Sequence, residues 1–240
     1  MRLLLKFNNS EKINPYIISK FEIQGFIYSL LKGTRYNYLH DKKGFKFFCF
    51  SNIFLIHDDL HLIISSPDNK MIKTLYYKLK TIDTLRLGEK IYLVNELKLI
   101  NMPKTFNYFT TSTPIILFHN QTKNNHCYSF KKDDINYNWF FERLKDNALK
   151  KYNAFYDDEY FFEGSLFSSF SFKREVAMNF KRKNQKFLLI GSLWDKLDCE
   201  IDKSNLKFYR FIYENGLGEK NGLGYGMLNN VKRRIDFASR

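Results

Sequence analysis

The chain has 240 residues, with 39 Lys or Arg against 25 Asp or Glu and a formal net charge of +14. Its 44% hydrophobic and 18% aromatic content suffices for a folded core, and only 4 Pro and 11 Gly exclude collagen-like and low-complexity classes. No apolar run approaches the roughly 20 residues of a membrane-spanning helix. The positive excess favours a polyanionic partner, most commonly nucleic acid.

Cysteine usage and the amino terminus bear on the compartment. Cys49, Cys127 and Cys199 are odd in number and lack the paired spacing of a zinc site. The first eight residues form a short apolar stretch broken by Lys6, which is typical of a strand and not of a signal peptide. We therefore expect a protein of the reducing cytoplasm with no membrane segment.

The first half of the chain predicts six elements in the order β-α-β-β-α-β, which is the ferredoxin-like pattern. Asn14 and Pro15 provide a cap and a first helical position, and helical spacing of apolar residues continues to Gly33. Alternation and aromatic content predict the strands. The predicted elements are strand 1–8, helix 15–32, strands 45–56 and 60–65, helix 67–80 and strand 91–100.

The second half predicts a less regular copy of the same unit after a linker at 103–112. Its predicted elements are strand 114–118, helix 133–151, strands 161–172 and 187–194, helix 204–215 and strand 225–231. The fold class is thus α+β, with two tandem ferredoxin-like (RRM-like) βαββαβ domains at 1–104 and 105–240. The positive excess is 8 in the first and 6 in the second, so both could face one polyanion.

A glycine loop near the carboxyl terminus holds five of the eleven glycines, at Gly216, Gly218, Gly222, Gly224 and Gly226. Such a loop can turn its amides toward a phosphate, with Lys220 adding a charge at its tip. The alternative is a helix cap at Gly216 followed by a turn into an edge strand. No Gly-Lys-Ser/Thr follows and the loop runs from helix to strand, so neither a P-loop nor a dinucleotide fingerprint is present.

His40 lies in the predicted loop between the first helix and the second strand, among tyrosines and cations. Imidazole exchanges protons near neutral pH without a metal, and lysines suit a site where charge develops on phosphate. The alternative is a merely solvated histidine. The other four histidines lack a comparable cluster of neighbouring tyrosines and cations and are interpreted as having no catalytic role. They are His57, His61, His119 and His126.

The loop histidine, the lysine-bearing strand that ends at Ser51 and the glycine loop together resemble the CRISPR-associated repeat-processing endoribonucleases of the RAMP superfamily. The motifs cover 28–51 and 216–231. The resemblance implies cofactor-free, metal-independent cleavage of repeat transcripts by 2′-hydroxyl attack, leaving a 2′,3′-cyclic phosphate and a 5′-hydroxyl. It implies CRISPR repeat RNA as the partner and is compatible with an effector complex and with a homodimer.

The resemblance also implies roles for particular residues. His40 matches the family histidine and would transfer a proton. Lys46, six residues on, would supply the cation, with Lys42 and Lys43 as alternatives. Tyr28 is the candidate for a tyrosine contributed by the first helix, and the alternatives are Tyr36 and Tyr38.

A basic segment between two predicted strands is a further candidate for RNA contact. Its cations are Lys173, Arg174, Lys181, Arg182, Lys183 and Lys186. The alternative is a solvated charged turn, and the basic run at 232–234 is weaker still. The acidic groups at 133–134 and 157–159 are interpreted as caps or solvated residues and not as metal ligands.

Two other functions remain open at this point. One is a non-catalytic RNA-binding subunit of an effector complex, in which His40→Ala would have no effect. The other is a structural or small-ligand-binding ferredoxin-like protein, which would not bind RNA.

Overall fold

Within the residues that it describes, the computed structural model of the protein contains four α-helices and ten β-strands. Those residues are 1–10, 12–103, 107–119, 126–132, 135–182 and 185–231, and over 180–182 and 185–186 the description covers the backbone. The helices are α1 Lys20–Leu31, α2 Asn69–Leu79, α3 Tyr137–Tyr156 and α4 Leu206–Asn215. The first six strands are β1 Arg2–Asn8, β2 Cys49–Phe50, β3 Phe54–Ile56, β4 Asp59–Ser65, β5 Thr84–Leu87 and β6 Lys90–Ile100. The remaining strands are β7 Tyr108–Thr111, β8 Ser169–Arg182, β9 Gln185–Asp198 and β10 Leu228–Asn230.

The first six strands form one antiparallel sheet. β1 pairs with β4 on one side and with β6 on the other, β2 and β3 both pair with β4, and β5 extends the edge beyond β6. Alternate residues of β1, Leu3, Leu5 and Phe7, are fully buried and share a core with the apolar faces of α1 and α2. This strand order is ferredoxin-like, as predicted for the first half.

The second sheet has the order β10-β7-β9-β8 and repeats that topology. α3 and α4 contribute to its core, which surrounds the fully buried Trp194 and contains many aromatic side chains. Most of the phenylalanines therefore serve packing here. The predicted fold class, α+β with tandem ferredoxin-like units, is confirmed. The predicted domain boundary falls at 104 and 105, outside the described residues, and stays a prediction.

Several element boundaries in the first half were wrong. The predicted helix 15–32 is a 3-10 turn at Pro15–Ile17 followed by α1, because Ser19 caps the α-helix instead of Asn14. The predicted strand 45–56 is divided into β2 and β3, and Phe47 lies at φ 51°, which extended strands do not adopt. β5 was not predicted.

The second half departs further from the prediction. The predicted linker contains β7, and the predicted strand 114–118 makes isolated bridges to three other segments. The predicted helix 133–151 is α3, which begins and ends later. β8 and β9 are each 14 residues long and pair along their length, so the described part of the basic segment lies in the strands of a hairpin.

The two sheets are joined through the amino-terminal strand. Arg2 is 5% exposed and its guanidinium donates to the carbonyl oxygens of Tyr213 and Leu228, at 2.9 and 2.6 Å. Ser65 Oγ donates to the carbonyl of Glu214, at 2.7 Å. Carbonyls at the end of α4 are thus satisfied by side chains of the first sheet. Among the described residues, none of the helices combines the length and apolarity that crossing a membrane requires.

Candidate active site

The helix α1 carries Tyr28 near its carboxyl end and begins at a complete capping box. The Ser19 hydroxyl accepts from the Glu22 amide, and the Glu22 carboxylate accepts from the Ser19 amide, at 3.2 and 2.6 Å. The helix is anchored by four buried residues, Ile23, Phe26, Ile27 and Leu31. Tyr28 is half-buried beside them, and burial raises the pKa of its phenol. The phenol therefore keeps its proton at neutral pH.

His40 follows a short 3-10 turn, Asn37–Leu39, whose last residue is buried. Its side chain is 68% exposed, and its Nδ1 lies 2.6 Å from Asp41 Oδ1. Its ring contacts the ring of Tyr28 edge to face, with the centroids 5.4 Å apart and an interplanar angle of 78°. A hydrogen bond from Nδ1 to the carboxylate leaves Nε2 available to exchange a proton.

Lys46 lies in the irregular segment before β2, and not at the start of a strand as predicted. Its ammonium donates to the backbone carbonyls of Leu39 and Lys42. Burial, with a smaller contribution from the charge of Lys42, lowers the pKa of this amine. Because Leu39 precedes His40 directly, Lys46 holds the turn from which the imidazole projects.

The alternatives for the tyrosine and the cation differ in their surroundings. Tyr36 is 5% exposed and its hydroxyl donates to Asp68 Oδ2 at 2.8 Å, so it serves the fold. Tyr38 is exposed, and the Lys42 ammonium lies 5.7 Å from its ring centroid. Lys43 is exposed. Of the three tyrosines, Tyr28 is the one that the structure shows in contact with His40.

The glycine loop follows α4 and leads into the edge strand β10, with Gly216 as the helix cap. Several of its amides donate within the protein, including Glu219 to Ile116 at 2.7 Å and Gly226 to Pro114 at 2.8 Å. These amides are bonded within the protein, so the expectation that loop N–H groups turn toward a phosphate does not apply to them. The cap and turn interpretation therefore accounts for part of the loop.

Close approach to the first sheet explains two of the glycines. A Cβ added at Gly222 would lie 2.9 Å from Lys46 Cβ, and one at Gly224 would lie 2.4 Å from the ring of Phe50. Gly224 also has φ 77°, in the left-handed region. The loop of the second unit thus packs directly on the segment that contains Lys46.

Lys151 and Asn221 fill the inside of the glycine loop. The Lys151 ammonium donates to the carbonyls of Gly216 and Gly218 at 3.3 and 2.8 Å, and to Asn221 Oδ1 at 2.8 Å. Asn221 Nδ2 donates to the carbonyls of Leu217 and Tyr225, both at 2.9 Å. Burial lowers the pKa of Lys151 to about 7.

Two side chains at the start of α1 hold the outer surface of the same loop. Gln24 Nε2 donates to the Gly222 carbonyl at 2.6 Å, and the Lys20 ammonium donates to the Gly224 carbonyl at 2.7 Å. Burial lowers the pKa of Lys20 to about 7. The helix that carries Tyr28 is thereby joined to the glycine loop.

A cleft of about 490 Å³ separates the first unit from the glycine loop and includes Lys46, Lys151 and Lys220 in its lining. One wall of the cleft consists of residues of α1 and the segment 44–47, and the opposite wall includes residues 218–223. The Lys220 ammonium lies 5.3 Å from the ring centroid of Phe118. The Lys151 ammonium is held by loop acceptors, so Lys46 and Lys220, against Glu219 in the same lining, are the charges that suit an anionic ligand.

The predicted basic segment lies outside this cleft where it is described. Lys173 pairs with Asp195 across β8 and β9 at 2.8 Å, and neither Lys173 nor Arg174 lines the cleft. Glu175 accepts from Ser129 Oγ and the Phe130 amide, so its carboxylate serves the fold. The side chains of Lys181, Arg182, Lys183 and Lys186 lie outside the described residues, as do 133–134 and 232–234. Of the acidic residues 157–159, Asp157 is the C-cap residue of α3, which agrees with the interpretation as a cap.

Four residues of the site were missed in the sequence: Lys20, Gln24, Lys151 and Asn221. Lys151 had a signal, because it falls within the apolar stripe of α3 that contains Leu144, Ala148 and Tyr152. A cation at such a position requires buried acceptors. Lys20 and Gln24 carry no comparable local signal.

Comparison with known proteins agrees with this arrangement. Residues 98–230 match the family described as CRISPR associated protein Cas6, C-terminal. The CRISPR-associated endoribonuclease Cas6 2 of Methanocaldococcus jannaschii is 38% identical over 243 residues, covering 97% of this chain and 100% of that protein. Cas6 1 of the same organism is 31% identical over 214 residues, covering 81% of this chain and 77% of that protein. A solved structure described as CRISPR associated protein Cas6 has a TM-score of 0.72 and 25% identity, covering 97% of this chain and 99% of that one.

The fold and the site define an α+β protein of two ferredoxin-like units that meet at a glycine loop, beside a histidine and a tyrosine in ring contact. The chain belongs to the Cas6 family of CRISPR-associated endoribonucleases. The resemblance drawn from residues 28–51 and 216–231 is confirmed.

Proposed function

We propose that this protein cuts CRISPR repeat transcripts at one phosphodiester in each repeat, without a metal ion. The ribose 2′-hydroxyl next to the scissile phosphate attacks the phosphorus, and the bond to the 5′-oxygen of the following nucleotide breaks. The products are a 2′,3′-cyclic phosphate and a 5′-hydroxyl. The observation that carries the proposal is the ring contact of Tyr28 with His40, six residues before Lys46. Lys46 lines the cationic cleft, whereas the two rings lie outside its lining.

The surroundings of the two rings favour different proton-transfer roles. Asp41 accepts from Nδ1 of His40, so Nε2 of the neutral ring can take the proton of the 2′-hydroxyl. Burial raises the pKa of Tyr28, so its phenol keeps a proton that it can give to the leaving 5′-oxygen. The histidine takes up one proton and the tyrosine releases one, so the proton transfers of the reaction balance.

Lys46 contributes charge and position. Two of its three N–H groups are used on the carbonyls of Leu39 and Lys42, which leaves one for a phosphate oxygen. A cation next to the attacked phosphorus stabilises the additional negative charge of the phosphorane. Lys220 and the loop bear on the same cleft and would contact the neighbouring backbone.

The proposal includes the partner and the compartment. CRISPR repeat RNA is the substrate, and assembly into an effector complex or a homodimer is compatible with that role. A reducing cytoplasm suits the three cysteines, which are free and buried.

The reaction class is tested with purified protein and repeat RNA in EDTA, followed by mapping of the RNA ends. We expect cleavage in EDTA, a cyclic phosphate end, and no cleavage of RNA with one 2′-deoxy substitution before the cut. Cleavage that needs magnesium, or that survives the deoxy substitution, contradicts the mechanism. Binding without cleavage would favour the non-catalytic RNA-binding role.

The role of His40 is tested in the same assay. His40→Ala should lower the single-turnover rate by about 10²–10⁴-fold, because a proton-transfer group is lost, while RNA affinity stays close to that of the wild type. His57→Ala is the matched control, since His57 is also an exposed turn histidine. Equal rates for the two variants would remove His40 from the mechanism.

A further inference from the structure

Lys151 is a cation in a place where lysine side chains are rarely found. The residue is 2% exposed, whereas the side chain of its neighbour Lys150 is 63% exposed and pairs with Asp146. Burial of an ammonium is unfavourable unless polar partners surround it. The partners of Lys151 therefore indicate what this lysine is for.

All three hydrogen bonds of the Lys151 ammonium end in the glycine loop. Two acceptors are the carbonyls of Gly216 and Gly218, and the third is Asn221 Oδ1. An uncharged aliphatic chain could fill the same space but would remove the donor of the Gly218 carbonyl and of Asn221 Oδ1. The Gly216 carbonyl would keep Asn215 Nδ2 as a donor, at 3.3 Å. The ammonium therefore fixes the direction in which the loop backbone turns.

The contact continues from the loop to the histidine. Asn221 is followed by Gly222, whose Cα faces the side chain of Lys46 so closely that an added Cβ would lie 2.9 Å from Lys46 Cβ. The ammonium of Lys46 in turn holds the carbonyl of Leu39, the residue before His40. Each step is a direct contact, and the path joins α3 to the catalytic turn.

We infer that Lys151 is a positioning residue for the cleavage reaction, which acts by holding the glycine loop against Lys46. It is not a catalytic residue, because its ammonium is enclosed by the acceptors of the loop. The inference rests on the proposed function. Loss of the ammonium should shift the loop and Lys46, and a small displacement of reacting groups costs up to about 10²-fold in rate.

The test compares Lys151→Met with Lys150→Met, two substitutions at adjacent positions of α3. Single-turnover cleavage of repeat RNA is measured at saturating enzyme, and affinity is measured with RNA that carries the 2′-deoxy substitution. We expect Lys151→Met to cleave about 10- to 100-fold more slowly and to bind within about threefold of the wild type. Lys150→Met should match the wild type in both.

A stability control separates positioning from a general weakening of the fold. Leu144→Ala removes a fully buried side chain from the same helix and should lower the melting temperature without slowing cleavage at a temperature where the protein is folded. A folded Lys151→Met with the wild-type rate overturns the inference. So does a rate loss shared equally by Leu144→Ala.

A second variant changes the partner of Lys151 in the glycine loop. Asn221→Ala removes the acceptor of Lys151 and both bonds to the loop carbonyls, and it should show the same rate loss with retained binding. If Lys151→Met does not fold, Asn221→Ala tests the positioning role in its place, because a wild-type cleavage rate for Asn221→Ala contradicts the inference. Wild-type protein that fails to cleave repeat RNA contradicts the proposed function, whereas the ratio of variant to wild-type rate reports on Lys151.

Discussion

Two lysines, the buried Lys151 and the partly buried Lys20, hold the glycine loop from opposite sides at an energetic cost. Both donate to loop carbonyls, and burial lowers the pKa of each to about 7. In the unfolded chain a lysine stays protonated to about pH 10.4. Unfolding therefore takes up protons above pH 7, and the contribution of these residues to stability rises with pH from there.

This linkage predicts the pH dependence of stability between pH 7 and 9. The free energy of unfolding of Lys151→Met should rise less steeply with pH than that of the wild type, by up to ~1.4 kcal/mol per pH unit. The window ends at pH 9 because burial raises the pKa of Cys49 to about 11, which opposes the trend in more alkaline solution. Urea unfolding at pH 7, 8 and 9 measures the slopes, with Lys150→Met as the control. Parallel slopes would show that the pKa of Lys151 in the folded protein is not strongly lowered.

At the scale of elements, the glycine loop and α1 are two backbone segments that tolerate side chains very differently. Gly224 has φ 77° and faces the ring of Phe50, whereas Gly25 is exposed on α1 and a Cβ added there would meet nothing within 4 Å. The same substitution therefore has opposite effects at the two sites.

Gly224→Ala should destabilise the protein by about 2 kcal/mol or more, since the left-handed conformation and the overlap with Phe50 both oppose a Cβ. Gly25→Ala should stabilise it by about 0.5–1 kcal/mol, because alanine is the better helix former. Thermal unfolding of the two variants and the wild type measures both effects. A neutral Gly224→Ala would mean that the loop does not pack on Phe50 in this way.

At the scale of the whole molecule, the two ferredoxin-like units are joined at the first strand. Arg2 links β1 to the end of α4 and to β10, and its guanidinium lies 3.6 Å from the ring centroid of Tyr213. The cleft and its cations depend on how the units are placed, because each unit contributes one wall. A contact far from the cleft can therefore influence the site.

Arg2→Met should destabilise the protein by about 2–3 kcal/mol, since two charge-assisted hydrogen bonds of a buried guanidinium are lost. Lys6→Met is the control from the same strand, because Lys6 pairs with Glu96 at the partly exposed surface and should contribute little. Chemical denaturation of both variants measures the difference. Equal destabilisation would show that Arg2 is not an anchor between the units.

Local signals predicted the element order better than the element boundaries. The alternation of β1 and the apolar stripe of α2 are properties of neighbouring residues, and both elements were predicted where they occur. β7 was assigned to a linker because four residues carry little periodicity, and it becomes a strand by pairing with β9 and β10. Strand pairing is set by partners distant in the chain.

The sequence by itself determined the charge, the α+β order, the spacing of His40 and Lys46 and the clustering of glycines, since each is a property of one short segment. Only the tertiary structure decided that Tyr28 and not Tyr36 faces His40, and that Lys151 lies inside the glycine loop. Those contacts join residues on different elements, up to 70 positions apart in the case of Lys151 and Asn221. Their formation depends on how two packed cores meet, which no local pattern encodes.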